Sequence, residues 1–503
     1  MAASEAIPYA KTGGLADVTG ALPQELGRLG HDVILMMPRY RCLNDSGRSF
    51  RVIGRIPVMT PQGASEAIIE EDTLSLGGAS RAVRVWAFRQ DAYFDREGLY
   101  QDQGRDYSDN LERFAWFSRA VIEAIQYLRH QWDWSTDLLH LHDWQTALCA
   151  VYLKTASRGQ IELAGIKTVL TLHNIGYQGL FSGNRVEQAG LPSSLFTPEG
   201  LEFYGSTNLL KGGMVFADHL TTVSPTYAKE ILTPEFGFGL EGVLRTREHE
   251  LSGIVNGIDM ERWNPETDPL LQTNYSVENR AGKLGCKQAL QREFGLPERD
   301  IPLISVIARL TQQKGLDLVA AILPKMLKLD VQLVMLGTGD HELERTFLKF
   351  HERFRNRMGV HIGFDEALAH RIEGGSDMIV MPSRYEPCGL TQLYSLRYGT
   401  VPVVRKTGGL ADTVIPVNDA QDGGIAATGF HFEQANSESL FEVMERALRL
   451  YADRARWERL VVAGMQTDMS WTNSARQYDE IFTRITRGGR KSEAEVSESA
   501  GRP

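Results

Sequence analysis

The stretch LISVIARLTQQKGLDLVAAIL, residues 303–323, opens as a short apolar run and turns polar at Arg309. A glycine at 315 follows, and then a helical stretch begins. Apolar run, polar turn and helix together make one strand–helix unit of a parallel sheet. Such strands are covered by helices on both faces, so they read as continuous hydrophobic runs and not as alternating ones. The same order recurs along the chain. In the first half the runs are DVILMMP (32–38), DLLHLHD (137–143), TVLTLHN (168–174) and HLTTVSP (219–225). In the second half they are VQLVMLGTG (331–339), VHIGF (360–364), DMIVMPS (377–383) and VPVVRK (401–406).

Amphipathic stretches separate the runs. In the clearest, residues 110–132, Leu111, Phe114, Phe117, Val121, Ile122, Ile125 and Leu128 fall on one helical face. Strand–helix alternation of this kind implies doubly wound α/β sheets. The runs form two groups, divided by the polar, turn-rich segment 253–283. The expected architecture is two Rossmann-like domains facing a cleft. We expect an N-terminal domain over 1–250, a C-terminal one over 251–465, a helix over 466–486 that returns to the first domain, and a polar disordered tail over 487–503. Ligands of such sheets bind outside the carboxyl ends of the strands, so the polar residues there are the candidates for function.

The totals narrow the classes. A chain of 503 residues calls for two large domains. Its net charge of −10 argues against nucleic acid or an anionic membrane as the main partner. Cys42, Cys149, Cys286 and Cys388 are widely spaced, which points away from disulfides or zinc and towards a reducing compartment. No apolar run reaches 18 residues, so no membrane span is expected, and the N-terminus has no charged leader or signal-peptide core.

At the strand ends, Arg309 and Lys314 precede a helix and suit a phosphate. They also read as two solvated surface cations. Glu386, after DMIVMPS and before Gly389, reads either as a helix cap or as a carboxylate for sugar hydroxyls. The N–H groups of Cys388, Gly389, Leu390 and Thr391 are open to a phosphate or sugar oxygen. In the first half, LLHLHDWQ ends in His140, His142 and Asp143, and TVLTLHN in His173 and Asn174. No third or fourth ligand is spaced near the two histidines of HLH, so no metal is expected. The heptapeptide KTGGLAD occurs twice, at 11–17 and 406–412. In the first copy Gly13 and Gly14 permit close approach of a phosphate and Lys11 adds a charge. The chain has no Asp-x-Asp, so a nucleotide diphosphate has to be neutralised by cations and helix dipoles.

Taken together, KTGGLADV (11–18), HLHDWQTAL (140–148), LHNIGYQG (172–179), GIVNGID (253–259), ARLTQQKGLD (308–317), PSRYEPCGLTQLY (382–394) and KTGGLADT (406–413) resemble the bacterial and plastid-type glycogen (starch) synthases. These are retaining glucosyltransferases of the GT-B architecture. The resemblance spans residues 2 to about 480 and implies transfer of glucose from ADP-glucose, or UDP-glucose in some members, to the non-reducing end of an α-1,4-glucan. It implies no metal or other cofactor, and a bacterial cytoplasmic location, or a plastid one if a transit peptide has been lost. It also implies roles. Lys11, Gly13, Gly14 and Asp17 lie near the diphosphate and acceptor. Arg309 and Lys314 bind the diphosphate. Glu386 contacts the glucose and Cys388–Thr391 the donor oxygens. Asp143, His173 and Asn174 lie on the glucose side, and Phe364 is the platform for adenine.

Three departures stand out. The strand expected before Ala3-Ser4-Glu5-Ala6 is reduced to Met1-Ala2, so the first strand is expected to be missing. Tyr394 occupies the place of the second glutamate of many GT-B enzymes, as in the glycogen-synthase branch. Residues 155–166 read as a surface insertion. The alternatives are another GT-B nucleotide-sugar transferase, or a non-catalytic or truncated glucan-binding homologue.

Overall fold

The computed structural model describes residues 1–503 except 75–81, 157–162, 164, 418–426 and 500–503, and only the backbone of 488–499. Most of the expected insertion at 155–166 therefore lies outside the described residues. The chain forms two compact units. Unit 1 comprises Met1–Val223, Ala228–Ile254 and Trp471–Pro503, and unit 2 comprises Ser224–Tyr227 and Val255–Ser470.

In unit 1, strands β1 (Ile34–Pro38), β2 (Arg51–Thr60), β3 (Gly63–Leu74) and β4 (Val83–Arg89) lie in the order β1-β4-β3-β2. Strands β5 (Leu138–His142), β6 (Lys167–Leu172), β7 (His219–Thr222) and β8 (Leu251–Gly253) lie in the order β8-β7-β6-β5, all parallel. The antiparallel β2–β3–β4 portion has no counterpart among the runs read from sequence. Strand β2 is largely exposed, with Ile56 and Val58 buried on one face and Arg55, Pro57 and Met59 exposed between and beside them. That is the alternating pattern of a half-solvated antiparallel strand, which a search for continuous apolar runs passes over.

Between β1 and β5 sits the start of the chain. Ala2 bridges Met36 of β1 and Leu141 of β5, both in parallel. Its N–H donates to the His140 carbonyl at 2.8 Å, and the Ala3 N–H donates to the Met36 carbonyl at 3.0 Å. Ala2 and Ala3 are fully buried. The slot expected to be vacant is thus occupied over a few residues, and this short segment joins the two halves of the sheet.

Helix α1 (Gly14–Arg28) follows directly, and helix α2 (Asn110–Trp132) buries all seven of the residues assigned to its apolar face. Each such side chain is worth about 2 kcal/mol. Helix α3 (Trp144–Ala156) leads away from β5.

Unit 2 holds β9 (Leu303–Ile307), β10 (Gln332–Gly337), β11 (Met358–Ile362), β12 (Met378–Met381), β13 (Val401–Arg405) and β14 (Phe430–Phe432). Their order is β11-β10-β9-β12-β13-β14, all parallel. Numbered from β9, this is the order 3-2-1-4-5-6 of a doubly wound dinucleotide-type sheet. Its switch point lies between β9 and β12, where consecutive connections leave in opposite directions. The connections there carry α4 (Leu316–Met326) after β9 and α5 (Thr391–Arg397) after β12, and α6 (Gly408–Thr413) follows β13.

The last helix, α7, runs from Trp471 to Ser499 and belongs to unit 1. Its backbone continues through most of the segment expected to be disordered, because polarity alone does not end a helix and no proline intervenes. Its Tyr478 and Phe482 rings pack against His140 at 5.3 and 5.4 Å between centroids, and Asp479 pairs with His31 at 2.8 Å. Phe482 is 7% exposed. Phe482→Ala is therefore expected to cost about 3 kcal/mol, seen as a lowered midpoint in urea or thermal unfolding.

Candidate active site

The unit 2 site begins at the switch point. Strand β9 ends at Ile307, and Lys314 closes a short 3-10 turn before Gly315. Gly315 has φ +64, and a Cβ there would overlap the carbonyl oxygen of Pro382 just beyond β12. Only glycine lets the two loops approach this closely. Three further bonds tie them together. The Arg384 N–H donates to the Gln313 carbonyl at 2.8 Å, and the Arg384 guanidinium grips Asp317 through two contacts of 2.7 Å.

The approach brings Lys314 Nζ to 2.6 Å from Glu386 Oε2, which also accepts from Ser383 Oγ at 2.8 Å. Glu386 is only 5% exposed. A carboxylate so buried has to be paired, and loss of its partner leaves a costly charge. Ser383 was not singled out in the sequence, although it stands three residues before Glu386.

The second KTGGLAD seats this loop from the other side. Gly408 has φ +44, and a Cβ there would overlap the Glu386 carbonyl oxygen. A Cβ on Gly409 would overlap the backbone of Cys388. The Gly409 N–H donates to the carbonyls of Glu386 and Pro387 at 3.0 and 3.2 Å. Lys406 lies out in solvent, paired with exposed Glu433 at 3.2 Å.

Beyond Glu386, burial pushes the Cys388 thiol up to about 12, so it is a protonated packing group. Gln392 Nε2 donates to the carbonyls of Cys388 and Gly389 at 3.0 and 2.9 Å. Those bonds hold the loop from Cys388 through Leu390 to Thr391, where α5 starts. Tyr394 stacks on Trp263 at 3.7 Å, and the opposite partner of Trp263 is His370, also at 3.7 Å. Arg309 and Phe364 stand on the same carboxyl edge of the sheet, after β9 and β11. Both are exposed, Phe364 by 80%.

In unit 1 the first KTGGLAD is built around a residue the sequence reading passed over. Buried Glu5 accepts from the Thr12 N–H, from Thr12 Oγ1 at 2.6 Å, from the Gly13 N–H at 3.2 Å and from Tyr100 Oη at 2.6 Å. Lys11 and Asp17 pair at 2.8 Å at the start of α1, where Gly14 is the first helical residue. Gly13 is extended, with φ −159, and a Cβ on it would meet nothing within 4 Å.

Asp143 sits at the end of β5 with φ +56. Its Oδ1 accepts from the His173 N–H at 2.8 Å, and the Asn174 N–H donates to the same carboxylate. Burial pushes the carboxyl up to about 7, with a smaller push from the Glu5 charge. The KTGG loop and the Asp143–His173 pair are therefore electrostatic neighbours within unit 1. Burial drives the His173 imidazole down to about 3, and its Nε2 lies 2.9 Å from His142 Nδ1. His140 bonds Thr171 Oγ1 at 2.7 Å, which in turn meets Thr221 Oγ1 at 2.7 Å. Asn174 Oδ1 accepts from the Gly176 N–H at 3.0 Å and shapes the turn towards Tyr177.

Comparison with known proteins gives the family. Residues 1–246 match the family described as the starch synthase catalytic domain, and residues 287–460 match glycosyl transferases group 1. A glycogen synthase of Syntrophotalea carbinolica is 46% identical over 487 residues, covering 96% of this chain and 97% of that one. A glycogen synthase of an Anaeromyxobacter species is 46% identical over 484 residues, covering 95% and 98%. Among solved structures, the catalytic domain of starch synthase IV from Arabidopsis thaliana, bound to ADP and acarbose, is similar with a TM-score of 0.87 at 34% identity, covering 97% of this chain and 98% of that one. A sucrose-phosphate synthase from Thermosynechococcus elongatus, at 16% identity and a TM-score of 0.56 with coverage of 97% and 98%, shares the fold. On identity over nearly its full length, the chain belongs to the glycogen (starch) synthase family of glucosyltransferases.

Proposed function

We propose that the chain extends α-1,4-glucans by moving glucose from ADP-glucose to the non-reducing end, with retention of configuration. The observation that carries this reading is the Lys314–Glu386–Ser383 cluster at the β9/β12 switch point, in a chain similar to a starch synthase described as bound to ADP and acarbose. We place the reaction in the bacterial cytoplasm, following the bacterial sources of the relatives. Among the described residues no helix is long and apolar enough to cross a membrane.

Departure of a nucleoside diphosphate leaves an oxocarbenium-like sugar and a growing negative charge. Fixed cations and N–H dipoles aimed at that charge lower the barrier without having to reorganise. In unit 2, Lys314 and Arg309 neutralise the diphosphate, so the reaction needs no divalent ion. Glu386 receives glucose hydroxyls, the N–H groups of Cys388, Gly389, Leu390 and Thr391 meet donor oxygens, and Phe364 lies under the adenine. Substrate entering beside Glu386 exchanges its pairing with Lys314 for contacts to sugar and phosphate. In unit 1, Lys11, Gly13, Gly14 and Asp17 serve the diphosphate and acceptor, while Asp143, His173 and Asn174 serve the glucose. A neutral His173 at physiological pH acts as a hydrogen-bonding group and not as a cation.

The direct test is ADP release by purified protein supplied with ADP-glucose and glycogen, with EDTA present. Turnover should persist in EDTA. Lys11→Ala and Glu386→Ala should each lose about 10²–10³ in kcat, and Lys406→Ala should change it little. Equal losses at Lys11 and Lys406 would overturn the distinction between the two heptapeptides.

Gly408→Ala forces a side chain against the Glu386 carbonyl. Displacing Glu386 by even about 1 Å should cost about 10² in kcat, with a lowered melting temperature in the same sample.

Asp143 gives a pH signature. Its folded-state value, about 7, lies above the roughly 3.9 of an unfolded aspartate. Its contribution to stability is therefore full below about pH 4 and lost as the pH rises through about 7. Asp143→Asn should melt higher than the parent at pH 8, by a margin that shrinks towards pH 5, while turning over more slowly.

A further inference from the structure

Two turns in unit 1 share an unusual construction. Phe203 pairs with Ser206 across the antiparallel pair Glu202–Phe203 and Ser206–Asn208, leaving Tyr204 and Gly205 as a two-residue turn. Their φ angles are +48 and +80. In the second turn the Leu240 N–H donates to the Gly237 carbonyl at 2.9 Å, and Phe238 and Gly239 have φ +52 and +84. Turns with both central residues at positive φ favour Asn-Gly or Asp-Gly, whose first residue tolerates that conformation. An aromatic residue there is an outlier.

Burial does not offset the strain. Tyr204 is 84% exposed and Phe238 is 41% exposed. Strained backbone that presents a side chain to solvent points to use of that side chain.

The two turns also touch. A Cβ on Gly239 would lie 2.9 Å from the Phe203 ring and 3.4 Å from that of Tyr204. The Phe203 and Tyr204 rings meet edge to face at 4.7 Å. Gln178 ties in a third segment, donating to the Phe238 carbonyl at 3.1 Å and accepting from Asn208 Nδ2 at 2.7 Å. Beside it, Tyr177 and Leu180 are each 52% exposed. The resulting aromatic surface continues outward from the loop that begins at His173.

We infer that Tyr204, Phe238 and Tyr177 form a stacking platform that anchors the α-1,4-glucan acceptor away from its reacting end. The inference rests on the glucan-synthase reading above. A pyranose ring presents a face of C–H groups to the electron-rich face of an aromatic ring. Gln178 and buried Asn208 brace the turns from beneath, and the hydroxyls of exposed Tyr204 and Tyr177 supply polar groups suited to sugar hydroxyls. A neutral polymer asks for this combination and for no cluster of charge. Continuity with the His173 loop favours glucan over a protein partner.

The test uses Tyr204→Asn and Phe238→Asn in the full chain. Asparagine removes the ring yet suits the left-handed backbone, so folding is preserved. Three quantities are measured: maltoheptaose affinity by NMR titration without donor, KM for glycogen and for ADP-glucose, and melting temperature. Maltoheptaose affinity should weaken, and glycogen KM should rise, about five- to tenfold. ADP-glucose KM should hold, and the melting temperature should hold or rise. Unchanged glucan affinity overturns the proposal, as does a melting temperature that falls in step with it. A change of oligomeric state with glucan affinity unchanged would make the surface a self-contact and also overturn it. Maltoheptaose binding that depends on Tyr204, in a chain that transfers no glucose, would support the platform and overturn the transfer reading alone.

Discussion

A carboxylate that is almost wholly out of solvent organises unit 2. Glu386 is tolerable in its position because Lys314 and Ser383 converge on one of its oxygens. For that to happen, the loops after β9 and β12 have to lie against each other, and the loop after β13 has to support them. Three glycines make these approaches possible. Gly315 lies against Pro382, Gly408 against the Glu386 carbonyl, and Gly409 against Cys388. The strand order supplies the rest, because the switch point makes β9 and β12 neighbours although about 70 residues of chain separate their ends.

The repeated heptapeptide shows how little a local sequence fixes. At 11–17 the third residue is extended, its N–H is held by Glu5, and the space where its side chain would stand is open. At 406–412 the third residue is left-handed and pressed against backbone. The first copy surrounds Gly13 with space and presents a lysine; the second uses its glycines to build the floor under Glu386. Glu5 decides the first geometry and the Glu386–Cys388 loop decides the second. Neither is adjacent in sequence to the glycines it shapes.

Much of the fold was legible because buried parallel strands carry their signature in consecutive residues. Every apolar run singled out corresponds to a strand, and α2 buries the face its spacing assigned. Strands β2 and β3 were not legible in this way, because half-exposed antiparallel strands disperse their apolar residues, whereas β4, buried over Val85–Phe88, carried a continuous run that was passed over. The strand slot before KTGGLAD read as vacant, yet Met1–Ala3 occupy it through backbone hydrogen bonds, which carry no side-chain signal. At the sites, residue types and strand-end positions drew attention to Lys314, Glu386, Asp143 and His173. Their partners Ser383 and Glu5 emerged only from contacts, since serine and glutamate are too common for type alone to mark them, and His142, noted at its strand end, was joined to His173 only by the fold.

By itself, the sequence determined the class of sheet, the division into two strand groups, the family and the strand ends at which polar residues gather. These depend on apolar periodicity and on motifs of consecutive residues, both of which are local. Tertiary structure alone decided that Lys314 and Glu386 form an ion pair, that burial raises the Asp143 carboxyl to about 7 beside a neutral His173, and that two identical heptapeptides do different work. It also brought the turns that carry Tyr204 and Phe238 into contact. Each of these is set by burial and by neighbours distant along the chain, and the energy of a charge, a proton or an aromatic face depends on that surrounding medium more than on the residue that carries it.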